Sequence, residues 1–108
     1  MCTNKILVQT EYGYVSKCDS CENIQVGYGT TIMSFTQDQF YEFAKTVVVN
    51  FKIYHTNYME YQKKICIATI TRLIQLIYSI CELKMLSEIL EEACMVLGLE
   101  NLLSGIEE

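Results

Sequence analysis

The chain has 108 residues, of which 51% are hydrophobic, and a formal net charge of −5. This length predicts one domain over residues 1–108, and the apolar fraction predicts a packed core and argues against disorder. An acidic surface with scattered basic residues disfavours nucleic-acid binding. The apolar patches are all too short to span a membrane, which takes about 18 residues or more.

The N-terminal residues lack a basic stretch followed by an apolar one. We therefore expect no secretory signal and a cytoplasmic location. In a reducing cytosol the six cysteines would stay reduced, and they would serve as small core residues or as metal ligands.

The first part of the chain has the pattern of four short β-strands. Lys5–Thr10 and Tyr12–Lys17 are β-favouring runs joined by a short link, which predicts an N-terminal hairpin. Apolar residues alternate over residues 24–28, so that they share one face of a third strand. Thr30–Phe35 is the fourth predicted strand.

The predicted hairpin brings three cysteines together. With Glu11-Tyr12 as the loop, paired residue numbers add to 23, and Cys2 falls opposite Cys21. A loop at Tyr12-Gly13 shifts the register but leaves Cys2 nearby. We therefore expect Cys2 to lie close to Cys18 and Cys21.

Two helices are predicted from their start signals. Thr36 with Gln39, and Ser79 with Glu82, have the spacing of a capping box, and Gly98 is a helix stop after the second helix. An apolar stripe follows each start at helical spacing. The stripes consist of Phe40, Phe43, Ala44, Val47 and Phe51 in the first helix and of Leu83, Leu86, Ile89, Leu90, Ala93 and Leu97 in the second.

The second helix follows two further strands, as the first helix does. Ile65–Ala68 and Arg72–Tyr78 are predicted strands, and His55–Lys64 before them is a predicted surface connection. The two helix starts match in pattern at an offset of 43 residues, which suggests two ββα units behind the hairpin. The alternative is that any two capped amphipathic helices look alike. In both cases the class is α+β, a largely antiparallel sheet with two helices on one face.

Cys18 and Cys21 form the motif with the most specific chemistry. Redox cysteine pairs lie at a helix N-terminus, whereas this pair lies between two predicted strands, so a thiol-redox protein ranks third among our hypotheses. A zinc knuckle fits a turn between strands better, although Glu22 stands where knuckles favour glycine. The competing interpretation is two thiols in a tight turn.

A structural zinc site takes four ligands. Cys2, Cys18 and Cys21 are the candidate metal ligands, with zinc as the possible cofactor. The residues considered for the fourth ligand are His55, Cys66 and Asp19.

The remaining candidate residues favour packing over catalysis. Cys66, Cys81 and Cys94 lie among apolar neighbours and are expected to be small core residues. His55 is the only histidine, and the sequence contains no nucleophile, phosphate-binding or metalloprotease motif to accompany it. Eight tyrosines are instead suited to a protein-binding surface.

The motif Cys18-x-x-Cys21-x-x-Ile24-Gln25-x-x-Tyr28-Gly29, together with the start Met1-Cys2, resembles a family of short, uncharacterised bacterial proteins. The resemblance spans most of the chain and is strongest over residues 1–43. Members often carry a histidine near Asn4, so this chain departs from a Cys-His-Cys-Cys zinc site. The resemblance implies a fold and no activity.

The leading functional hypothesis is a small non-enzymatic cytoplasmic module that binds a protein partner or itself. We expect a homodimer, formed through an unpaired strand edge, because so short a chain has many apolar residues to cover. The alternative is a protein with a structural or regulatory zinc at Cys2, Cys18 and Cys21.

Overall fold

A computed structural model describes residues 3–55, 65–69, 71 and 73–98. Within these residues the chain forms an N-terminal hairpin and then two ββα units, which confirms the predicted α+β fold. The elements are β1 (Asn4–Gln9), β2 (Gly13–Cys18), β3 (Ile24–Tyr28), β4 (Thr31–Phe35), α1 (Gln37–Tyr54), β5 (Ile65–Ala68), β6 (Gln75–Tyr78) and α2 (Ile80–Val96).

The strands form two separate antiparallel sheets. β1 to β4 pair in chain order, and β5 pairs only with β6 among the described strands. The helices pack against each other, with α2 contacting β1, β2 and β6 and α1 contacting β4 and β5. Buried residues of both helices join Val15, Ile24 and Val26 in one core, so the helices cover the same face of the four-stranded sheet. None of the helices described is long and apolar enough to cross a membrane.

The hairpin register agrees with the prediction near its loop and differs beyond it. Val8 pairs with Val15, so the residue numbers add to 23 as predicted, but Asn4 pairs with Cys18, so they add to 22. A bulge between Ile6 and Val8 causes the change, because one extra residue on β1 shifts every later pair. The predicted position of Cys2 itself lies outside the described residues.

Both predicted capping boxes are present. The Gln39 N–H donates to the Thr36 hydroxyl at 3.2 Å, and the Thr36 N–H donates to Gln39 Oε1 at 3.0 Å. Ser79 and Glu82 make the same two bonds at 3.2 and 3.0 Å. Each box follows an antiparallel strand pair, which supports two ββα units of similar design.

The helix ends reflect packing as well as local sequence. α1 continues to Tyr54 through β-branched residues, because Val47 and Val48 are buried in the core and their burial outweighs a weak helix propensity. α2 ends at Val96, and Gly98 adopts a φ of +76° while its N–H donates to the Met95 carbonyl. Gly98 is thus the predicted stop, in the left-handed conformation that glycine favours.

The prediction that three later cysteines are core residues is only partly correct. Cys94 is buried and Cys81 half-buried, but Cys66 is exposed. β5 alternates strictly, with Ile65 and Ile67 in the core, so the residue between them faces outwards. The sixth strand is also shorter than predicted, because the chain turns around Leu73 before β6 begins at Gln75.

Candidate functional site

The turn from Cys18 to Asn23 links β2 to β3, and backbone hydrogen bonds within the turn stabilise it. The Cys18 N–H donates to the Asn23 carbonyl at 2.9 Å, and the Glu22 N–H donates to the Cys18 carbonyl at 3.0 Å. The Asp19 N–H donates to the Thr3 carbonyl at 3.0 Å, which fixes the start of the described chain to the same turn. The backbone around the two cysteines is therefore well defined.

Glu22 adopts the backbone conformation of a glycine. Its φ is +62°, the only positive φ among the described non-glycine residues. A side chain in this region costs on the order of 1 kcal/mol or more. The Glu22 carboxylate lies 3.9 Å from the Lys17 ammonium in a largely exposed ion pair, which is worth too little to offset that cost. The position after Cys21 thus has the geometry for which knuckles use glycine, although the residue differs.

The two cysteines of this turn differ in environment. Cys18 is buried and disulfide-bonded, so the expectation that all six cysteines stay reduced is wrong for this residue. The Cys21 side chain is exposed. A sulfur in a disulfide cannot serve as a thiolate ligand, so metal binding would require the reduced form. Cys2, the third candidate ligand, lies outside the described residues.

Of the three candidates for a fourth ligand, Asp19 lies in the turn itself and is exposed, and His55 and Cys66 lie on other elements. His55 is exposed at the end of α1, where its Nδ1 is 2.9 Å from the Lys52 carbonyl oxygen. Cys66 lies on the outer side of β5. Across the described ranges no three His, Cys, Asp or Glu residues form a group that could hold a metal, so neither joins Cys18 and Cys21 in such a group.

A buried tyrosine pair connects the two ββα units. Tyr28 and Tyr78 meet edge to face with ring centroids 5.8 Å apart, and the Tyr28 hydroxyl donates to the Glu82 carbonyl. Burial, reinforced by the Glu82 carboxylate, raises the pKa of Tyr78 to about 12 and that of Tyr28 still further. These hydroxyls are therefore neutral at physiological pH, and the pair joins the two units by ring packing and by the hydrogen bond to the Glu82 carbonyl.

Most of the described residues on the outer surface of the β5–β6 hairpin are apolar, and Gln75 is the exposed polar residue of its strands. Cys66 and Ile77 are a cross-strand pair on this surface, and Leu73 and Ile74 in the connecting turn are 94% and 56% exposed. We call these four residues the hairpin patch. It contains no charged side chain, although 19% of the residues in the chain are charged.

The hairpin patch adjoins an edge of β5 that has no neighbouring strand among the described residues. Within the described ranges β5 pairs only along one side, and its sequence Ile-Cys-Ile-Ala has no charge and no proline. The edge strand β1, by contrast, carries Lys5 and a bulge, two features that discourage pairing with another chain. Cys66 is therefore not the core residue that its apolar neighbours in sequence predict, and the apolar alternation of β5 is the signal that it faces outwards.

A second, partly exposed surface is the face of the four-stranded sheet opposite the helices, on which Ser16 is buried. Ile6 and Ile32 are 50% and 65% exposed there. The Tyr14 ring lies across Gly27, where a Cβ would collide with it, and the Tyr14 hydroxyl donates to Gln25 Oε1 at 2.7 Å. This face is mixed in polarity, so it is a weaker candidate for an interface than the hairpin patch.

Comparison with known proteins places the chain in a family. No curated protein and no solved structure matches the sequence. One family model, described as a family of unknown function, DUF6686, matches residues 1–100. Because that match covers nearly the whole chain, the protein belongs to the family of unknown function DUF6686.

Proposed function

We propose that the protein is a small non-enzymatic cytoplasmic module that acts by self-association as a homodimer. The observation that carries this proposal is the hairpin patch beside the outer edge of β5, which has no strand partner in the part of the chain that the structure describes. Pairing with a further strand would give the hydrogen-bonding groups along that edge their partners. Cross-strand contacts between apolar residues of β5, such as Ile65 and Ile67, would form in the same step.

The test is the molar mass of the protein in solution. Light scattering over a micromolar concentration range should give about twice the 12.5 kDa of one chain, falling towards one chain on dilution. A mass of one chain at every concentration would refute self-association.

A second candidate function is zinc binding at Cys2, Cys18 and Cys21 in the reduced protein. The specific observation in its favour is the left-handed conformation of Glu22, directly after the second cysteine of the pair. In this arrangement the three thiolates would bind the metal, and a fourth ligand would come from water or another residue.

Metal analysis after purification under reducing conditions tests this candidate. We expect about one zinc per chain, with proton release on metal uptake, because the thiols must lose their protons to bind. Cys18→Ser should abolish uptake, and the exposed Cys66→Ser is the matched control that should retain it. Equal zinc content in both variants, or none in the wild type, would exclude the site.

A further inference from the structure

The two ββα units differ in one respect that points to a partner. In the first unit, β3 pairs with β4 on one edge and with β2 on the other. In the second unit, β5 pairs with β6, and its other edge has no strand beside it in the part of the chain described. We propose that β5 of a second copy fills this place by antiparallel pairing, a step that rests on the proposed self-association.

The chemistry of β5 favours a second copy of the same strand as its occupant. The chain carries a net charge of −5, so most of its surfaces would repel their own copies. β5 has no charged residue, so antiparallel pairing with itself sets no like charges opposite each other. The product is a continuous four-stranded sheet, in the order β6-β5-β5-β6, in which the outer edges of both β5 strands are paired.

Symmetry restricts the register of this pairing. A twofold axis perpendicular to the sheet keeps the buried faces of both copies on the same side. Residues that pair must then lie on the same face of β5, and because faces alternate along a strand, the two residue numbers must add to an even number. A sum of 132 sets Cys66 opposite Cys66 of the second copy. It also makes two pairs between Ile65 and Ile67 on the buried face, whereas a sum of 134 makes one pair of Ile67 with itself. Because cross-strand pairs of β-branched residues stabilise a sheet, the structure assigns the register of 132.

Cross-linking through the Cys66 thiol of the wild-type protein can detect this register directly. In a sum-132 dimer the two Cys66 Cβ atoms lie about 4.5–5.5 Å apart, within reach of a short bismaleimide. We expect the reagent to cross-link the wild type into a covalent dimer whose linked peptides both contain Cys66. Cys66→Ser should abolish that linkage. Linkage only through other cysteines, with the chain dimeric, would overturn the β5 interface while leaving self-association intact.

Two lysine substitutions distinguish a dimer that forms through the β5 edge from one that forms through the whole hairpin patch. Cys66→Lys would set two ammonium groups opposite each other at the axis and should raise the dimer Kd by about tenfold or more. Ile77→Lys, on the neighbouring strand β6, leaves the edge free of like charges and should keep the dimer. Both side chains are exposed, so melting temperatures should confirm that both variants fold.

The outcomes distinguish this inference from the proposed function. Dissociation by Cys66→Lys alone supports pairing through β5. A dimer that survives Cys66→Lys but dissociates with Ile32→Lys would move the interface to the open face of the four-stranded sheet and overturn the inference. A wild type that is monomeric throughout would overturn both.

Discussion

At the scale of single residues, the core is formed in part by side chains on the inner faces of the two helices. Leu83, Leu86 and Phe40 are fully buried at the positions that helical spacing had assigned to the core. Their burial follows from periodicity alone, since an amphipathic stripe has to face the protein interior. Cys66 shows the limit of this reasoning, because an apolar neighbourhood in sequence does not say on which side of a strand a residue lies.

The buried tyrosines predict how stability changes with alkaline pH. Their folded-state pKa values are raised above 10, to about 12 for Tyr78, so the unfolded chain ionises first. The stabilisation is therefore fully present below about pH 10 and is lost progressively as the pH rises towards about 12. Chemical denaturation at several pH values should show this fall, and Tyr78→Phe should make it shallower. An unchanged slope in that variant would contradict the assignment.

Thiol reactivity provides a second test at the residue scale. Burial, with the nearby Glu91 carboxylate, raises the pKa of Cys94 to about 11, so its thiol is protonated at pH 8. Cys66 is exposed and should react with iodoacetamide in the native protein at low concentration, whereas Cys94 should react only after unfolding. Peptide mass spectrometry after a short labelling pulse measures both sites in one sample.

Truncation of a core side chain measures how much packing contributes to the free energy of unfolding. Leu86 has no exposed surface, so Leu86→Ala should lower the free energy of unfolding by about 2–5 kcal/mol. Cys66→Ala, at an exposed position, should cost about 0.5 kcal/mol or less under conditions where the protein is monomeric. A small effect of Leu86→Ala in urea denaturation would contradict the packing of α2 against the sheets.

At the scale of elements, the sequence identified helix starts better than strand registers. The capping boxes at Thr36 and Ser79 are local signals, completed within three residues, and both are present. The bulge beside Leu7 has no local signal of that kind, because it arises from how β1 fits both β2 and the core. For this reason the predicted hairpin register agrees with the structure only near the loop.

The cysteine turn gives a prediction at this scale. Glu22→Gly should stabilise the protein by about 1 kcal/mol, because glycine adopts the left-handed conformation without the steric cost of a side chain. Glu22→Ala keeps that cost and is the matched control for loss of the ion pair with Lys17. If both variants unfold at the same denaturant concentration, the backbone conformation is not the source of strain.

At the scale of the whole molecule, the fold follows from repetition of one unit. The sequence offset between helix starts suggested two ββα units, and the structure has them, joined through Tyr28 and Tyr78. The separation of the strands into two sheets could not be predicted, because the strand patterns do not say which edges pair. Within the described ranges, that separation leaves one edge of β5 without a neighbouring strand, and the proposed dimer is built on this edge.

Amide hydrogen exchange tests the central claim most directly. Along an edge strand alternate N–H groups point away from the partner strand and exchange rapidly, whereas an internal strand protects all of them. At high protein concentration we predict that every amide from Ile65 to Ala68 is protected as the amides of the internal strand β2 are, and that alternate ones lose protection on dilution. Alternate amides of β5 that exchange rapidly at every concentration would show an open edge and contradict the account.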